Sequence, residues 1–131
     1  MIDVQLPGAA VFDTDGVLTD TASIHFKAWQ RMFSALSLYL QETSWSTLPQ
    51  SLPFKHSDYV RYVDGKKRED GAADFLASRG VSLLPGELRH WCSFKDTVFT
   101  QLLCEDGVTP FRSSLDFVID LRSHGVPTAV V

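Results

Sequence analysis

An α/β fold is what this sequence predicts, and three features carry the prediction. The chain opens on "AAVFD", a short apolar run with β-formers that closes on Asp13 and Gly16, as a buried strand of a parallel sheet does. Stretches with helical periodicity fill the middle. The chain ends on "LRSHGVPTAVV", where a helix stops at Gly125 and a β-branched strand begins. A helix leading into a strand is the rhythm of α/β folds.

The elements follow in order. In "TASIHFKAWQRMFSALSLYL", Ile24, Ala28, Met32 and Leu36 recur every four residues, with Phe33 and Leu40 beside that stripe, which makes an amphipathic helix. Thr21 or Asp20 is its expected cap. Residues 43–57 carry prolines and several Ser/Thr residues and read as a loop. "DYVRYVDG" reads as a short helix or turn ending at Gly65, and "GKKRED" as a charged connection. Asp70 is the expected N-cap of "GAADFLASR", with Gly80 as its stop. "VSLLPGELRHW" reads as an irregular link. In "SFKDTVFTQLLCEDG", Phe94, Val98 and Leu102, with Phe99 and Leu103, share one face of a helix ending at Gly107. Ser113 or Ser114 is the expected cap of a last helix, in which Leu115, Val118, Ile119 and Arg122 fit an amphipathic period. Pro127 is tolerated near the start of the closing strand.

Composition narrows the function. The 131 residues are 44% hydrophobic and 21% charged, an ordinary balance for one globular domain. The net charge of −4, with acids and bases interspersed, gives no footprint for nucleic acid. Nowhere do about 18 apolar residues run together, so no membrane span is expected. The start, "MIDVQLPGAA", has neither a basic nor a long apolar segment, so no signal peptide is expected either. Cys92 and Cys104 lack metal spacing and are too few for a disulfide framework; they read as reduced thiols in a cytoplasmic protein. His56, His90 and His124 have no metal spacing. The sequence is silent on oligomeric state.

The chemistry gathers at "DTDG". In an open α/β sheet, ligands bind beyond the carboxyl ends of the strands, where Asp13 and Asp15 stand. Residues i and i+2 of a strand share a side, and the loop beyond it can aim both at one ligand. Two carboxylates so close repel unless a cation lies between them or one stays protonated. Mg²⁺ is the natural hard cation for such oxygens and commonly bridges to phosphate. A carboxylate can also attack phosphorus to give an aspartyl-phosphate, and a second acid can protonate the leaving oxygen. Gly16 lets the backbone turn tightly and bring amides to a phosphate. The plain alternative is that Asp-Gly is only a turn.

The longer stretch "VFDTDGVLTDTASIHFKAWQ" resembles the first motif of the haloacid dehalogenase (HAD) superfamily, hhhDxDGVhxDo, and within it the β-phosphoglucomutase-like branch. "YVDGKKREDGAADFLASRG" is similar to a cap-domain stretch of that branch, and "LRSHGVPTAVV" to the helix and strand that lead to the second motif. The resemblance implies a partial Rossmann-like core, made of the first strand and a later helix and strand, with an inserted helical cap. It places the core strand and catalytic loop at 1–17, the cap at 18–110, and the return to the core at 111–131.

It also implies roles. Asp13 would be the nucleophile and a Mg²⁺ ligand. Asp15 would be the general acid/base, with its main-chain carbonyl a further ligand. Gly16 and Val17 would offer amides to the transferring phosphate. His25 would orient the acid/base, and Trp29 is the aromatic beside it. Arg68, with Lys66 or Lys67 nearby, would hold the non-reacting phosphate of a sugar phosphate. A closing cap would exclude water.

The expected function is therefore Mg²⁺-dependent phosphoryl transfer on a hexose phosphate. A sugar-phosphate phosphatase of the same superfamily, or a truncated non-catalytic remnant or interaction module, is the alternative. The chain stops inside the predicted closing strand at Val131, before the family's later Ser/Thr, Lys and acidic residues. It is expected to be the first part of a longer fold, with little activity alone.

Overall fold

The computed structural model describes residues 6–43 and 52–131. They are mostly helical, with a small parallel sheet, a mixed α/β content. Strand β1 (Ala10–Phe12) is followed by helix α1 (Thr21–Glu42), the single turn α2 (His56–Asp58), and a π-helical segment (Tyr59–Val63). Helices α3 (Arg68–Ser78), α4 (Pro85–Asp106) and α5 (Arg112–Ser123) lead to strand β2 (Thr128–Val130). The contacts divide the chain into two compact units, Met1–Ser23 with Gly107–Val131, and Ile24–Asp106. Among the described residues no helix is long and apolar enough to cross a membrane.

The first unit is the sheet. β1 and β2 pair in parallel, with Val11 opposite Ala129. Phe12 meets Phe117 of α5 edge-on, with ring centroids 6.2 Å apart. Leu18, Leu121 and Val126 are buried, whereas Val11, on the opposite side of the strand from Phe12, is 65% exposed.

The loop leaving β1 is tied down at both ends. The amide and hydroxyl of Thr14 donate to the Val131 carbonyl at 3.1 and 3.0 Å. The Thr14 carbonyl in turn accepts from the amides of Leu18 and Thr19 and from the Thr19 hydroxyl. Gly16 takes φ +75°, the left-handed turn that favours glycine.

The second unit is helical. The stripe Ile24, Ala28, Met32 and Leu36 is buried, as are Phe33 and Leu40. Phe33, Phe54 and Phe75 form a ring triangle with centroids 4.4 to 4.9 Å apart. Ile24 and Ala28 pack with Val98 and Leu102 of α4. Gly71 of α3 lies against the π-helical backbone; a Cβ there would stand 3.1 Å from the Tyr62 carbonyl oxygen and the Val63 Cα. Phe75→Ala removes a ring from the fully buried centre and is expected to cost ~3–5 kcal/mol, read as a lowered midpoint in urea unfolding.

Several boundaries differ from the sequence expectations. Asp20, not Thr21, caps α1: its carboxylate accepts from the amide and hydroxyl of Ser23 at 3.2 and 2.7 Å. α3 starts at Arg68 with Lys67 as N-cap, so Asp70 sits inside the first turn, where its charge faces the positive helix end. Residues 85–91, read as an irregular link, are the first two turns of α4. Pro85 opens the helix, where its fixed φ suits the first position, and Glu87 reaches back to the Leu84 amide at 2.9 Å. Neither Ser113 nor Ser114 caps α5. Phe111 is the N-cap, and its own amide is pinned to the Leu18 carbonyl at 2.9 Å. Of the 43–57 loop, residues 44–51 lie outside the described residues. His56–Asp58 is helical because Asp58 accepts from the Lys55 amide at 2.9 Å.

Candidate functional site

The expected site residues fall into two groups, one in each unit. The first is the loop after β1. Asp13 and Asp15 are both exposed. The Asp13 carboxylate has no hydrogen-bond or ion-pair partner among the described residues. Asp15 is held: its Oδ1 accepts from the Thr21 hydroxyl at 2.9 Å. Thr21 itself is buried, so the carboxylate is fastened to the first residue of α1. The two acids thus have different surroundings, one bare and one steadied by a neutral donor.

The loop amides are divided as well. The Gly16 N–H donates to the Thr19 carbonyl at 2.8 Å and is committed to the turn. The N–H groups of Asp15 and Val17 donate to no acceptor among the described residues, which leaves Val17 as the available amide of the expected pair. The exposed carboxylates and the Asp15 carbonyl are hard oxygen donors of the kind Mg²⁺ takes. Among the described residues no group of three His, Cys, Asp or Glu side chains is placed to hold a metal ion.

The second group shares one cavity inside the Ile24–Asp106 unit. Its volume is about 390 Å³, and His25, Trp29, Lys66 and Arg68 line it, with Lys95 and Asp96. Lys67, the N-cap of α3, is not among its lining residues. Each wall has a local cause. His25 and Trp29 stand four apart, one turn of α1. Tyr59 and Val63, at the two ends of the π-helical segment, contribute the apolar side. Gly65, at φ +71°, turns the chain so that Lys66 and Arg68 follow on the cavity rim. Arg68 is the first residue of α3, a cation at the positive end of a helix, which an anion placed there relieves.

Lys95 is the residue that sequence reasoning missed. It is 4% exposed. Its Nζ lies 3.0 Å from His25 Nδ1 and about 5 Å from the ring centroids of Trp29 and Phe99 (5.3 and 5.1 Å). His25 stacks on Phe99 at 4.0 Å. Burial pushes the Lys95 ammonium down from its ordinary 10.5 to about 8, and the nearby Arg68 charge adds to the push. A charged Lys95 can only donate in that contact, with His25 Nδ1 accepting. The signal was present: Cys92, Lys95, Val98 and Leu102 recur on the buried stripe of α4, so a lysine occupied an apolar position. Burial also raises the neighbouring Cys92 thiol to about 11, which keeps it protonated and unreactive.

Two carboxylates line the cavity, Asp64 and Asp96. Lys66 is paired with Asp74, which lies outside the lining, at 2.5 Å. Asp96 pairs with Arg68 through one oxygen and lies 3.6 Å from Lys95 Nζ through the other.

Comparisons with known proteins give one pattern. Residues 7–131 match the haloacid dehalogenase-like hydrolase family. The chain is 40% identical over 133 residues to a beta-phosphoglucomutase of Mycobacterium bovis, an alignment covering 94% of this chain and 50% of that protein. It therefore spans about half the length of the curated beta-phosphoglucomutases it matches. Among solved structures, an archaeal beta-phosphoglucomutase from Pyrococcus sp. strain ST 04 superposes with a TM-score of 0.69 at 21% identity, over 93% of this chain and 50% of that one. A CbbY mutant from Rhodobacter sphaeroides, in complex with xylulose-(1,5)bisphosphate, superposes with a TM-score of 0.67 at 19% identity, over 95% and 50%. At these identities the structural likeness speaks for the fold.

Proposed function

The chain belongs to the haloacid dehalogenase-like hydrolase family, and on that premise we propose that it takes part in phosphoryl transfer on a hexose phosphate, through an aspartyl-phosphate formed on Asp13. The observation that carries this is the contrast between the two acids: Asp13 is bare, as a nucleophile must be, while Asp15 is steadied by Thr21. An Asp13 oxygen attacks phosphorus, and the bond from phosphorus to the sugar oxygen breaks. Asp15 gives its proton to that leaving oxygen, then removes one from the next hydroxyl to arrive. The Val17 amide is placed in the same loop to bind a phosphoryl oxygen. Mg²⁺, held by the Asp13 carboxylate and the Asp15 main-chain carbonyl, would supply positive charge against the phosphoryl oxygens.

The cavity of the helical unit supports a ligand with a second phosphate. Arg68 offers a fork that matches phosphate oxygens, Lys66 and Lys95 add charge, and His25 and Trp29 form the remaining wall. That set of cations favours a mutase, whose intermediate carries two phosphates, over a phosphatase.

Mass spectrometry tests the covalent step. The protein is incubated with Mg²⁺ and a hexose phosphate and quenched in acid. An adduct of one phosphoryl group on the peptide holding Asp13 is expected. No adduct, or one on another residue, overturns the proposal. Slow labelling rather than rapid turnover is the readout, because two acids make an incomplete magnesium site.

A further inference from the structure

Asp96 reaches into the cavity and takes up the cations a phosphate would need. Its carboxylate pairs with the Arg68 guanidinium on one side and stands 3.6 Å from the buried Lys95 ammonium on the other. Arg68 and Asp96 are both partly exposed, at 42% and 43%, so the pair faces the cavity rather than the core. Neighbouring positions on α4 thus contribute a cation and its counter-anion to one wall. Nothing in the helix requires this. Asp96 is neither a cap nor a member of an i,i+4 pair along α4, and its strong partner comes from α3.

We propose that Asp96 is an internal stand-in for the ligand phosphate, holding Arg68 until an incoming phosphate displaces it, and so setting the affinity of the cavity for anions. This rests on the reading of the cavity as the phosphate-holding site. Without Asp96, Arg68 would keep only Glu69, 3.9 Å from its Nε, and would repel Lys95; Asp96, set against both cations, relieves that repulsion. A phosphate must then break the Arg68–Asp96 pair before it can make its own fork to the guanidinium. The exchange is favourable when the newcomer carries two negative charges and nearly neutral when it carries one. Asp96 therefore lowers the affinity for every anion, and leaves only dianions able to compete well.

The test measures binding of inorganic phosphate and of glucose 6-phosphate by calorimetry, without magnesium, so that the acidic loop contributes nothing. Four forms are compared: the natural protein, Asp96→Asn, Arg68→Ala, and both together. Asp96→Asn is expected to bind roughly three- to ten-fold more tightly, the range an exposed ion pair allows. Arg68→Ala is expected to bind at least about ten-fold more weakly. In the double variant the asparagine is expected to gain clearly less than in the natural protein, because no guanidinium is left to release and only the Lys95 ammonium is freed.

Unchanged or weaker binding by Asp96→Asn, with Arg68→Ala still losing affinity, overturns the stand-in and leaves the phosphate site intact. Unchanged binding by Arg68→Ala overturns the phosphate site and this inference with it. Asp96→Ser, with far-ultraviolet circular dichroism on every form, separates loss of folding from loss of the ion pair.

Discussion

Replacing Lys95 with methionine is expected to stabilise the protein at neutral pH while stripping its cavity of anion affinity. The ammonium is 4% exposed, and its folded state holds a proton less tightly than the unfolded chain, at about 8 against an ordinary 10.5. Below pH 8 both states carry the charge, and the folded state bears the whole cost of burying it. Between pH 8 and 10.5 only the unfolded state still binds the proton, so stability of the natural protein rises with pH across that window. The penalty is on the order of 3 kcal/mol at most. Two cation–π contacts and the Asp96 pair offset part of it, which leaves an expected gain of ~1–2 kcal/mol for the methionine form at pH 7. Urea unfolding followed by tryptophan fluorescence should show that gain shrinking toward zero as the pH climbs past 10. Phosphate binding should move the other way, weakening at pH 7 and losing its own decline through pH 8. A methionine variant that is less stable at pH 7 would mean that Lys95 is held by its partners more strongly than burial opposes it.

Asp13→Asn is expected to abolish phosphoryl labelling with any donor, whereas Asp15→Asn is expected to lose it only with a poor leaving group. A sugar oxygen must be protonated as it departs, so labelling from a hexose phosphate needs Asp15. Acetyl phosphate releases a carboxylate, which leaves without help. The Asp15→Asn form should therefore label from acetyl phosphate within a few-fold of the natural protein, and slow by roughly 10²–10⁴-fold with the sugar phosphate. The Asp13→Asn form should label with neither. Because the amide replaces the carboxylate without changing its size, and Asp13 is exposed, folding is expected to be untouched. Labelling that survives in Asp13→Asn would place the nucleophile elsewhere.

Much of the frame was legible in one dimension because it rests on short-range periodicity. The Ile24, Ala28, Met32, Leu36 stripe is buried residue by residue, and "AAVFD" and "VPTAVV" do become the two parallel strands. Boundaries were less legible. Pro85-Gly86 reads as a turn in isolation, yet proline suits a helix's first position equally well, and Glu87 decides between them by reaching back to Leu84. Ser113 and Ser114 looked like caps, but both lie inside the first turn of α5, and Phe111, whose amide donates to the Leu18 carbonyl, is the N-cap.

The acids at the end of β1 and the charged turn before α3 could be picked out in the chain itself, as two carboxylates beside a glycine and as an arginine beside two lysines. What folding alone decided is the company these groups keep. Thr21 became the partner of Asp15 rather than the cap of α1, and Lys95 came to lie beside His25, seventy residues away, with Asp96 set against Arg68. No local pattern encodes such pairings. In the helical unit they arise because packed helices bring distant side chains within a few ångströms, where burial and Coulomb forces act with a strength they lack in water.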